Sequence, residues 1–497
     1  MNDLLLVNPC FEPGYNTSNV PLSLAILGGY LEDMGIGYDI IDPVVMGLDR
    51  NDVIKRARNC DYVGLTSFTH TREDCLGLAK EIKSANPECK IILGGPHASC
   101  LDVQILKYSP YVDIVVRGEG ERALSMICEG EPLENVPGIT YRHGDNTKRT
   151  SEAKPIDELD ELPFPAYHKF PIADYIPILE GQKEIEELTH VGITTSRGCP
   201  FKCVFCASAS RFKHLWRAIS PERVGELIQY LYDKFSVRYF RFFDDNFTVN
   251  KKRVIQVCDE ICERGLDITF RIEARVDSLT EEMLMALKKA GCHLMEIGIE
   301  SGSDRILKNL NKKITVSQVK DAISLAKKHQ ITTKGFLMVS LPDERTGDVL
   351  ETMKVARLPD FVTVGILTLL PGAPLTEGLK SKGRPNLYER IWGEFLTQSG
   401  QVLLLPVESL PRDNKQGCQE QGVGQVEIES ENKRIVCVQA LRLSISIVSA
   451  INPKAQYLLP NQKRARRSCS LCLLTSPFSQ PGCVSRPSPT REAERPC

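Results

Sequence analysis

Three closely spaced cysteines limit the possible folds of this chain more than any other feature of its sequence. They stand at Cys199, Cys203 and Cys206 in the segment SRGCPFKCVFC, with the spacing C-x3-C-x2-C. Cysteine thiolates favour soft metal centres and are the usual ligands of iron–sulfur clusters. Three ligands on a cluster of four irons leave one iron open. We therefore expect a 4Fe–4S cluster whose open iron can bind a substrate.

A structural zinc site or a chance group of cysteines would also bring thiols together. Zinc sites normally have a fourth cysteine or histidine nearby, and His214 is the only near candidate. The spacing favours the iron–sulfur interpretation over both alternatives.

The motif also has an aromatic residue, Phe205, directly before its third cysteine. With this residue it resembles the signature of radical S-adenosylmethionine (radical SAM) enzymes. The resemblance implies that SAM chelates the open iron and that Phe205 borders the SAM site. It also implies that one electron cleaves SAM to a 5′-deoxyadenosyl radical, which abstracts hydrogen from a substrate.

Length and charge set broader limits. The 497 residues suggest about three structural units of roughly 150 residues each. A net charge of −2 gives no bulk electrostatic case for binding nucleic acid. The first residues lack the basic region and long apolar core of an export signal, and the sequence favours no membrane segment. We expect a cytoplasmic protein whose 18 cysteines stay reduced.

Residues 1–130 alternate short β-branched runs with amphipathic helical stretches, which predicts a doubly wound, Rossmann-like α/β domain with a parallel sheet. The predicted strands are Leu4–Pro9, Gly37–Ile41, Tyr62–Ser67, Lys90–Gly94 and Asp113–Arg117. Ligands of such sheets bind at the carboxyl ends of the strands. Glycines at those ends let a ligand approach the backbone closely.

The stretches LGGPHAS and DIVVRGEGE at these strand ends resemble the cobalamin-binding domain that precedes many radical SAM domains. The resemblance implies that cobalamin is contacted by Ser67, Gly94, Gly95, His97, Gly118 and Glu119. A purely structural turn histidine is the alternative for His97. The loop after the first strand lacks the D-x-H-x-x-G motif, so cobalamin is expected to bind without a histidine ligand to cobalt.

Two alternatives for this first domain stay open. A dinucleotide is one, although no G-x-G-x-x-G follows the first strand. A degenerate domain that binds no corrin is the other.

Residues 131–190 read as a connector, because repeated prolines break the periodicity. The segment LPFPAYH within it resembles the linker common in the cobalamin-dependent radical SAM family. The alternation then resumes over residues 191–383, with predicted strands Val191–Thr195, Tyr239–Phe243, Ile268–Glu273, Leu294–Ile299, Thr332–Met338 and Phe361–Leu369. Strand–helix repeats of this number fit the partial (β/α)6 TIM-like barrel that the resemblance implies. Barrel active sites lie at the face where the cysteine loop would stand.

Polar residues at the ends of the other barrel strands share that face and are candidate SAM contacts. The resemblance places Asp244 and Asp245 at the methionyl amino group, and a carboxylate is a natural acceptor for an ammonium. It places Glu273, Glu300 and Ser301 near the ribose, and Lys312 at the SAM carboxylate. Ion pairs that only stabilise the barrel rim are the alternative for each charged residue.

Residues 384–497 lose the strand–helix rhythm and gather serine, proline and cysteine. Composition favours a poorly ordered tail, either a divergent extension or a frame-shifted translation.

The sequence thus predicts a radical SAM enzyme with a 4Fe–4S cluster, SAM and cobalamin, which methylates an unactivated carbon of a small molecule. A flavodoxin or ferredoxin would supply electrons. Oxidative cyclisation, as in relatives resembling the anaerobic magnesium-protoporphyrin monomethyl ester cyclase, is one alternative. A cobalamin-binding or redox-sensing protein without turnover is another.

Overall fold

Two sheets organise the part of the chain that the computed structural model describes, which is residues 4–11, 19–175 and 190–381. All of these residues belong to one unit. The prediction for residues 384–497 lies outside the described residues.

The first sheet has the strand order β2-β1-β3-β4-β5-β6-β7. Its strands are β1 Leu4–Val7, β2 Tyr38–Ile41, β3 Tyr62–Thr66, β4 Lys90–Gly94, β5 Ile114–Val116, β6 Ile139–His143 and β7 Asn146–Arg149. Its helices are α1 Leu22–Asp33, α2 Arg50–Ala57, α3 Arg72–Ala85, α4 Pro96–Cys100, α5 Asp102–Tyr108 and α6 Glu121–Cys128. Strands β1 to β5 pair in parallel, which confirms the predicted α/β sheet. Apolar side chains on both faces are buried, as a parallel sheet covered by helices requires.

The prediction that residues 131–190 are a connector throughout is wrong for residues 139–149. Strands β6 and β7 form an antiparallel hairpin, and β6 pairs antiparallel with β5 at the edge of the first sheet. Gly144 turns the hairpin with a φ of +60°. The hairpin was not predicted from the sequence, because its two strands are short and prolines lie on both sides of it.

The second sheet is an open, wholly parallel arc with the order β15-β14-β13-β12-β11-β8. Its strands are β8 His190–Ile193, β11 Tyr239–Phe242, β12 Thr269–Ala274, β13 Cys292–Glu300, β14 Thr332–Val339 and β15 Phe361–Ile366. A small ribbon, β9 Ser196–Arg197 and β10 Arg217–Ala218, flanks the cysteine loop. The helices are α7 Ser208–Phe212, α8 Pro221–Phe235, α9 Lys251–Glu263, α10 Glu281–Lys289, α11 Asp304–Asn309, α12 Val316–Lys328, α13 Thr346–Val355 and α14 Pro374–Ser381. The six predicted strand–helix repeats and their order are confirmed.

The proline-rich segment after the hairpin packs the two halves together. The Ala166 amide donates to the Ala25 carbonyl at 2.8 Å, and the Tyr167 hydroxyl donates to the Gly192 carbonyl at 2.9 Å. A Cβ atom on Gly29 would lie 2.3 Å from the Phe164 carbonyl oxygen, so this glycine lets the segment cross α1 closely. These contacts hold the carboxyl edge of the first sheet beside the start of the barrel.

No helix among residues 4–11, 19–175 and 190–381 is long and apolar enough to cross a membrane.

Candidate cofactor sites

The loop after β8, which we call the cysteine loop (residues 194–207), is shaped by Gly198. This residue has a φ of +85°, and a Cβ atom there would lie 2.0 Å from the Leu215 carbonyl oxygen. The Cys206 amide donates to the Cys203 carbonyl at 3.3 Å, which turns the end of the loop. The glycine therefore lets the loop fold back on the segment that follows α7.

All three loop cysteines line one cavity of about 180 Å³, which we call the cysteine cavity. Its other lining residues are Phe201, Phe205, Ser208, Asp245, Asn246, Glu273, Ala274, Arg275, Glu296, Gly298, Glu300, Lys312 and Phe336. None of the three forms a disulfide. Burial raises the pKa of the Cys206 thiol to about 11 and raises the pKa of the Cys199 thiol. A metal centre that binds thiolates would therefore displace protons as it loads.

Within the described part of the chain, no three His, Cys, Asp or Glu side chains surround the position of a single metal ion. His214, the candidate fourth ligand of a zinc site, donates from Nδ1 to the Phe201 carbonyl at 3.1 Å. It thus braces the backbone of the cysteine loop.

Asp245 and Asn246, which follow β11, face the cysteine cavity with polar atoms. The Gly198 amide donates to Asp245 Oδ2 at 3.2 Å. Asn246 Oδ1 accepts from the Thr248 amide and hydroxyl, while its buried Nδ2 has no partner among the described residues. An amide donor without such a partner is suited to donate a hydrogen bond to a polar ligand in the cavity.

Glu273 lies at the end of β12 and lines the same cavity. Burial, followed by repulsion from Glu296, raises the pKa of its carboxyl to about 7. The side chain therefore changes its protonation near neutral pH.

Glu300 and Lys312 form a buried ion pair on the cavity wall, with 2.8 Å between Oε1 and Nζ. Glu300 has a φ of +67°, and the register of β13 against β14 shifts at this point. A Cβ atom on Gly298 would lie 2.7 Å from both charged atoms. The missing side chain of Gly298 therefore leaves room for the pair.

Two predicted SAM contacts do not line the cavity. Asp244 is fully buried and accepts from the Thr195 amide and hydroxyl and from the Ser196 hydroxyl at 2.6 to 2.7 Å. Ser301 is fully buried and its hydroxyl contacts Thr352 Oγ1 at 3.1 Å. Both side chains turn back into the fold, because backbone and hydroxyl groups of neighbouring segments use their polar atoms.

A second cavity of about 270 Å³ lies at the carboxyl edge of the first sheet, and we call it the sheet-edge cavity. Gly94, Gly95, Gly118 and Glu119 line it, as predicted for a ligand at these strand ends. A Cβ atom on Gly94 or Gly118 would meet nothing within 4 Å. The lining Thr66 Oγ1 is buried without a hydrogen-bond partner among the described residues. Open glycines and a free hydroxyl fit a large ligand with both apolar and polar parts.

Ser67 and His97 do not line this cavity. The His97 amide donates to the Ser67 carbonyl at 3.1 Å, and His97 Nδ1 contacts Thr69 Oγ1 at 3.1 Å. Burial lowers the pKa of His97 to about 4. These contacts match the structural alternative for His97, since they stabilise the glycine turn.

The cysteine loop and α7 also form one wall of the sheet-edge cavity, through Thr194, Arg197, Arg211 and Phe212. Arg197 pairs with Glu119 at 3.1 Å and with Glu121 at 2.6 Å, across the two halves. Arg217 also pairs with Glu119, which lowers the pKa of that carboxyl despite its burial. Arg197 and Arg211 were not predicted from the sequence, because ion pairs between distant segments leave no local pattern.

Comparisons with known proteins agree with this architecture. Residues 193–356 match the family model described as the radical SAM superfamily, and residues 16–127 match the one described as the B12 binding domain. The uncharacterized methyltransferase PH0819 of Pyrococcus horikoshii is 33% identical over 75% of this chain and 82% of that protein. The anaerobic magnesium-protoporphyrin IX monomethyl ester cyclase of Rubrivivax gelatinosus is 32% identical over 73% of this chain and 66% of that protein.

A solved structure has the same fold at lower identity. The radical SAM methyltransferase TsrM from Kitasatospora setae matches with a TM-score of 0.64 and 17% identity, over 77% of this chain and 76% of that one. The predicted cofactors, a 4Fe–4S cluster, SAM and cobalamin, are those of the two matched domains. The chain therefore belongs to the radical SAM enzymes that carry a B12-binding domain, a family with both methyltransferases and the magnesium-protoporphyrin cyclase among its members.

Proposed function

We propose that this enzyme transfers a methyl group to an unactivated carbon of a small molecule. When bound, the cluster and SAM supply a 5′-deoxyadenosyl radical that removes hydrogen, and cobalamin carries the methyl group that a second SAM provides. A flavodoxin or ferredoxin is the proposed electron donor. The chain's own residues bind and orient these groups and exclude water.

Cys199, Cys203 and Cys206 are the proposed ligands of the cluster, because they form no disulfide and line one cavity. The partnerless Asn246 amide and the Asp245 carboxylate offer contacts for the methionyl part of SAM. The Lys312 ammonium is suited to the SAM carboxylate, with Glu300 fixing its position at 2.8 Å. Glu273 is the proposed acceptor for the ribose hydroxyls, and Phe205 borders the site.

Asp244 and Ser301 have supporting roles in this proposal. Asp244 fixes Thr195 and Ser196 at the start of the cysteine loop. The Ser301 hydroxyl accepts from the Ser303 amide at 3.2 Å and so orders the turn after Glu300.

Cobalamin is proposed to occupy the sheet-edge cavity, with Gly94, Gly95, Gly118 and Glu119 at its border. Ser67 and His97 support the glycine turn through backbone hydrogen bonds, from the Ser67 amide to the Gly94 carbonyl and from the His97 amide to the Ser67 carbonyl. The segment from Cys10 to Val20 contains no histidine, which supports binding without a histidine on cobalt.

One observation carries the proposal: the cysteine loop and α7 contribute to both cavities. Arg211 lines the sheet-edge cavity and lies 3.9 Å from Asp245 of the cysteine cavity. A substrate next to this wall is within reach of radical and methyl donor alike, which methyl transfer by these cofactors requires.

The test uses full-length protein reconstituted anaerobically with iron, sulfide and hydroxocobalamin, then reduced in the presence of SAM with a CD3 methyl group. Methyl transfer predicts both 5′-deoxyadenosine and CD3-labelled methylcobalamin. Cyclisation, which the 32% identity to the Rubrivivax cyclase keeps as the second candidate, predicts 5′-deoxyadenosine without labelled methylcobalamin. A sensor without turnover predicts neither product.

A further inference from the structure

We propose that Arg275 is a positioning residue that raises the reduction potential of the cluster by donating a hydrogen bond to the Cys203 sulfur. Arg275 Nη1 lies 3.9 Å from Cys203 Sγ, a distance consistent with a hydrogen bond to the large sulfur atom. The inference rests on the proposed function only in so far as the three loop cysteines hold a cluster.

The orientation of this guanidinium is fixed by contacts that do not involve sulfur. Nε and Nη2 donate to the two Asp277 carboxylate oxygens at 3.0 and 2.9 Å, and Nη2 also donates to the Lys312 carbonyl at 2.8 Å. The guanidinium carbon lies 3.6 Å from the centre of the Phe201 ring. Because these contacts hold the planar group on three sides, Nη1 is aimed at Cys203 before any cluster binds.

Burial strengthens the electrostatic effect of the contact between Arg275 and Cys203. Arg275 is 5% exposed and Cys203 is 7% exposed, so little water competes with this donor. A hydrogen bond from a charged donor is stronger than a neutral one, and hydrogen bonds to cluster sulfurs are among the factors that set the potential. One-electron reduction increases the negative charge on the cluster and its sulfurs. The N–H donor therefore stabilises the reduced form more than the oxidised form.

Asp277 partly neutralises the guanidinium, so the effect comes from the N–H dipole aimed at sulfur and less from net charge. Replacing Arg275 with Lys would keep the charge and lose the planar fork. Replacing it with Met would remove both. The two substitutions separate a directed hydrogen bond from a general positive charge.

Arg253 is a matched control, because it is also a buried arginine that supports the cysteine loop. It is 7% exposed and donates to the Thr195 and Ile219 carbonyls at 2.9 and 3.1 Å. Neither of these two acceptors is a sulfur atom, so Arg253 differs from Arg275 in this contact. Arg253→Met therefore disturbs the same loop and leaves the Cys203 contact in place.

The experiment is a redox titration of the reconstituted cluster, monitored by electron paramagnetic resonance, with iron content measured alongside. Arg275→Met should lower the ratio of reduced to oxidised cluster at a fixed potential about tenfold, which is about 59 mV for one electron. Arg275→Lys should give a smaller shift in the same direction. Arg253→Met should leave the midpoint unchanged.

Unchanged potentials in loaded Arg275 variants, or an equal shift in Arg253→Met, would overturn the proposal. If the Arg275 variants fail to load the cluster, the test is made on wild-type protein labelled with guanidinium-15N arginine. Pulsed electron paramagnetic resonance should then detect 15N coupled to the reduced cluster. Absence of this coupling would overturn the proposal. A wild-type protein that holds no iron would instead defeat the proposed function itself.

Discussion

Gly298 and Glu300 stand two residues apart on β13, and the missing side chain of the first makes room for the carboxylate of the second. A Cβ atom at Gly298 would lie 2.7 Å from Glu300 Oε1 and equally close to Lys312 Nζ. Those two atoms form the 2.8 Å ion pair on the wall of the cysteine cavity. Both side chains are at most 10% exposed, so breaking the pair would strand a buried charge.

Gly298→Ala should therefore weaken SAM binding while the cluster is retained. The added methyl group displaces Lys312 from its position, and we expect roughly a tenfold higher Kd for SAM, or about 1.4 kcal/mol. Equilibrium dialysis with labelled SAM measures this. Gly365→Ala on β15 is the control, because a Cβ atom there meets nothing within 4 Å. Equal affinities in the two variants would count against the role of the ion pair.

Gly198→Ala should prevent the cysteine loop from closing. The new Cβ would lie 2.0 Å from the Leu215 carbonyl oxygen, and the φ of +85° is unfavourable for alanine. Iron content after anaerobic reconstitution should fall severalfold. Gly144→Ala separates the steric contact from the positive φ, because Gly144 has a φ of +60° but open space around it. Full iron loading in Gly198→Ala would show that the loop tolerates the contact.

Glu273 should make the stability of the cofactor-free protein depend on pH. Its pKa rises from 4.5 to about 7 on folding, so the native state binds a proton more tightly than the unfolded state does. Its contribution is fully present below pH 4.5 and is lost as the pH rises through about 7. The free energy of unfolding, measured by urea denaturation, should decline over this window in wild type relative to Glu273→Gln. Parallel profiles would contradict the raised pKa.

Gly94→Leu should abolish cobalamin binding without disturbing the cluster. A Cβ atom at Gly94 meets no protein atom within 4 Å, so the added side chain enters the sheet-edge cavity and occupies space proposed for cobalamin. Cobalt content should drop to background while iron content stays at the wild-type level. Gly37→Leu is the matched control, because Gly37 also has open space and lies outside the cavity. Normal cobalt loading in Gly94→Leu would place the corrin elsewhere.

Most of the fold followed from the sequence because the strands β1 to β5 of the first sheet and all strands of the second sheet pair in parallel and are buried. Their strands are apolar runs separated by amphipathic helices, a local pattern that survives without knowledge of tertiary contacts. Helix α8, Pro221–Phe235, shows such local signals, since Ser220 caps its amino end and Pro221 fits its first turn. The hairpin at residues 139–149 was missed because it has only a weak local signal.

The site was less predictable, for a geometric reason. Strand position brought Asp244, Asp245, Glu300 and Ser301 to the correct end of the barrel, but it did not decide which side chains face the cavity. Asp244 turns inward to Thr195 and Ser196, whereas its neighbour Asp245 lines the cavity. Arg197 forms ion pairs with two glutamates about 75 residues earlier in the chain. Such pairs arise only from the packing of distant segments.

The most direct test of the central claim compares wild-type protein with the Cys199→Ala, Cys203→Ala, Cys206→Ala triple variant after anaerobic reconstitution. Wild type should hold about four irons at these ligands and release 5′-deoxyadenosine from SAM on reduction. A control triple variant, Cys60→Ala, Cys100→Ala and Cys128→Ala, removes three cysteines that form no disulfide and lie outside the cysteine cavity, and it should behave like wild type. The triple variant of Cys199, Cys203 and Cys206 should lose the brown chromophore and should release no 5′-deoxyadenosine. Retention of either property would contradict the account.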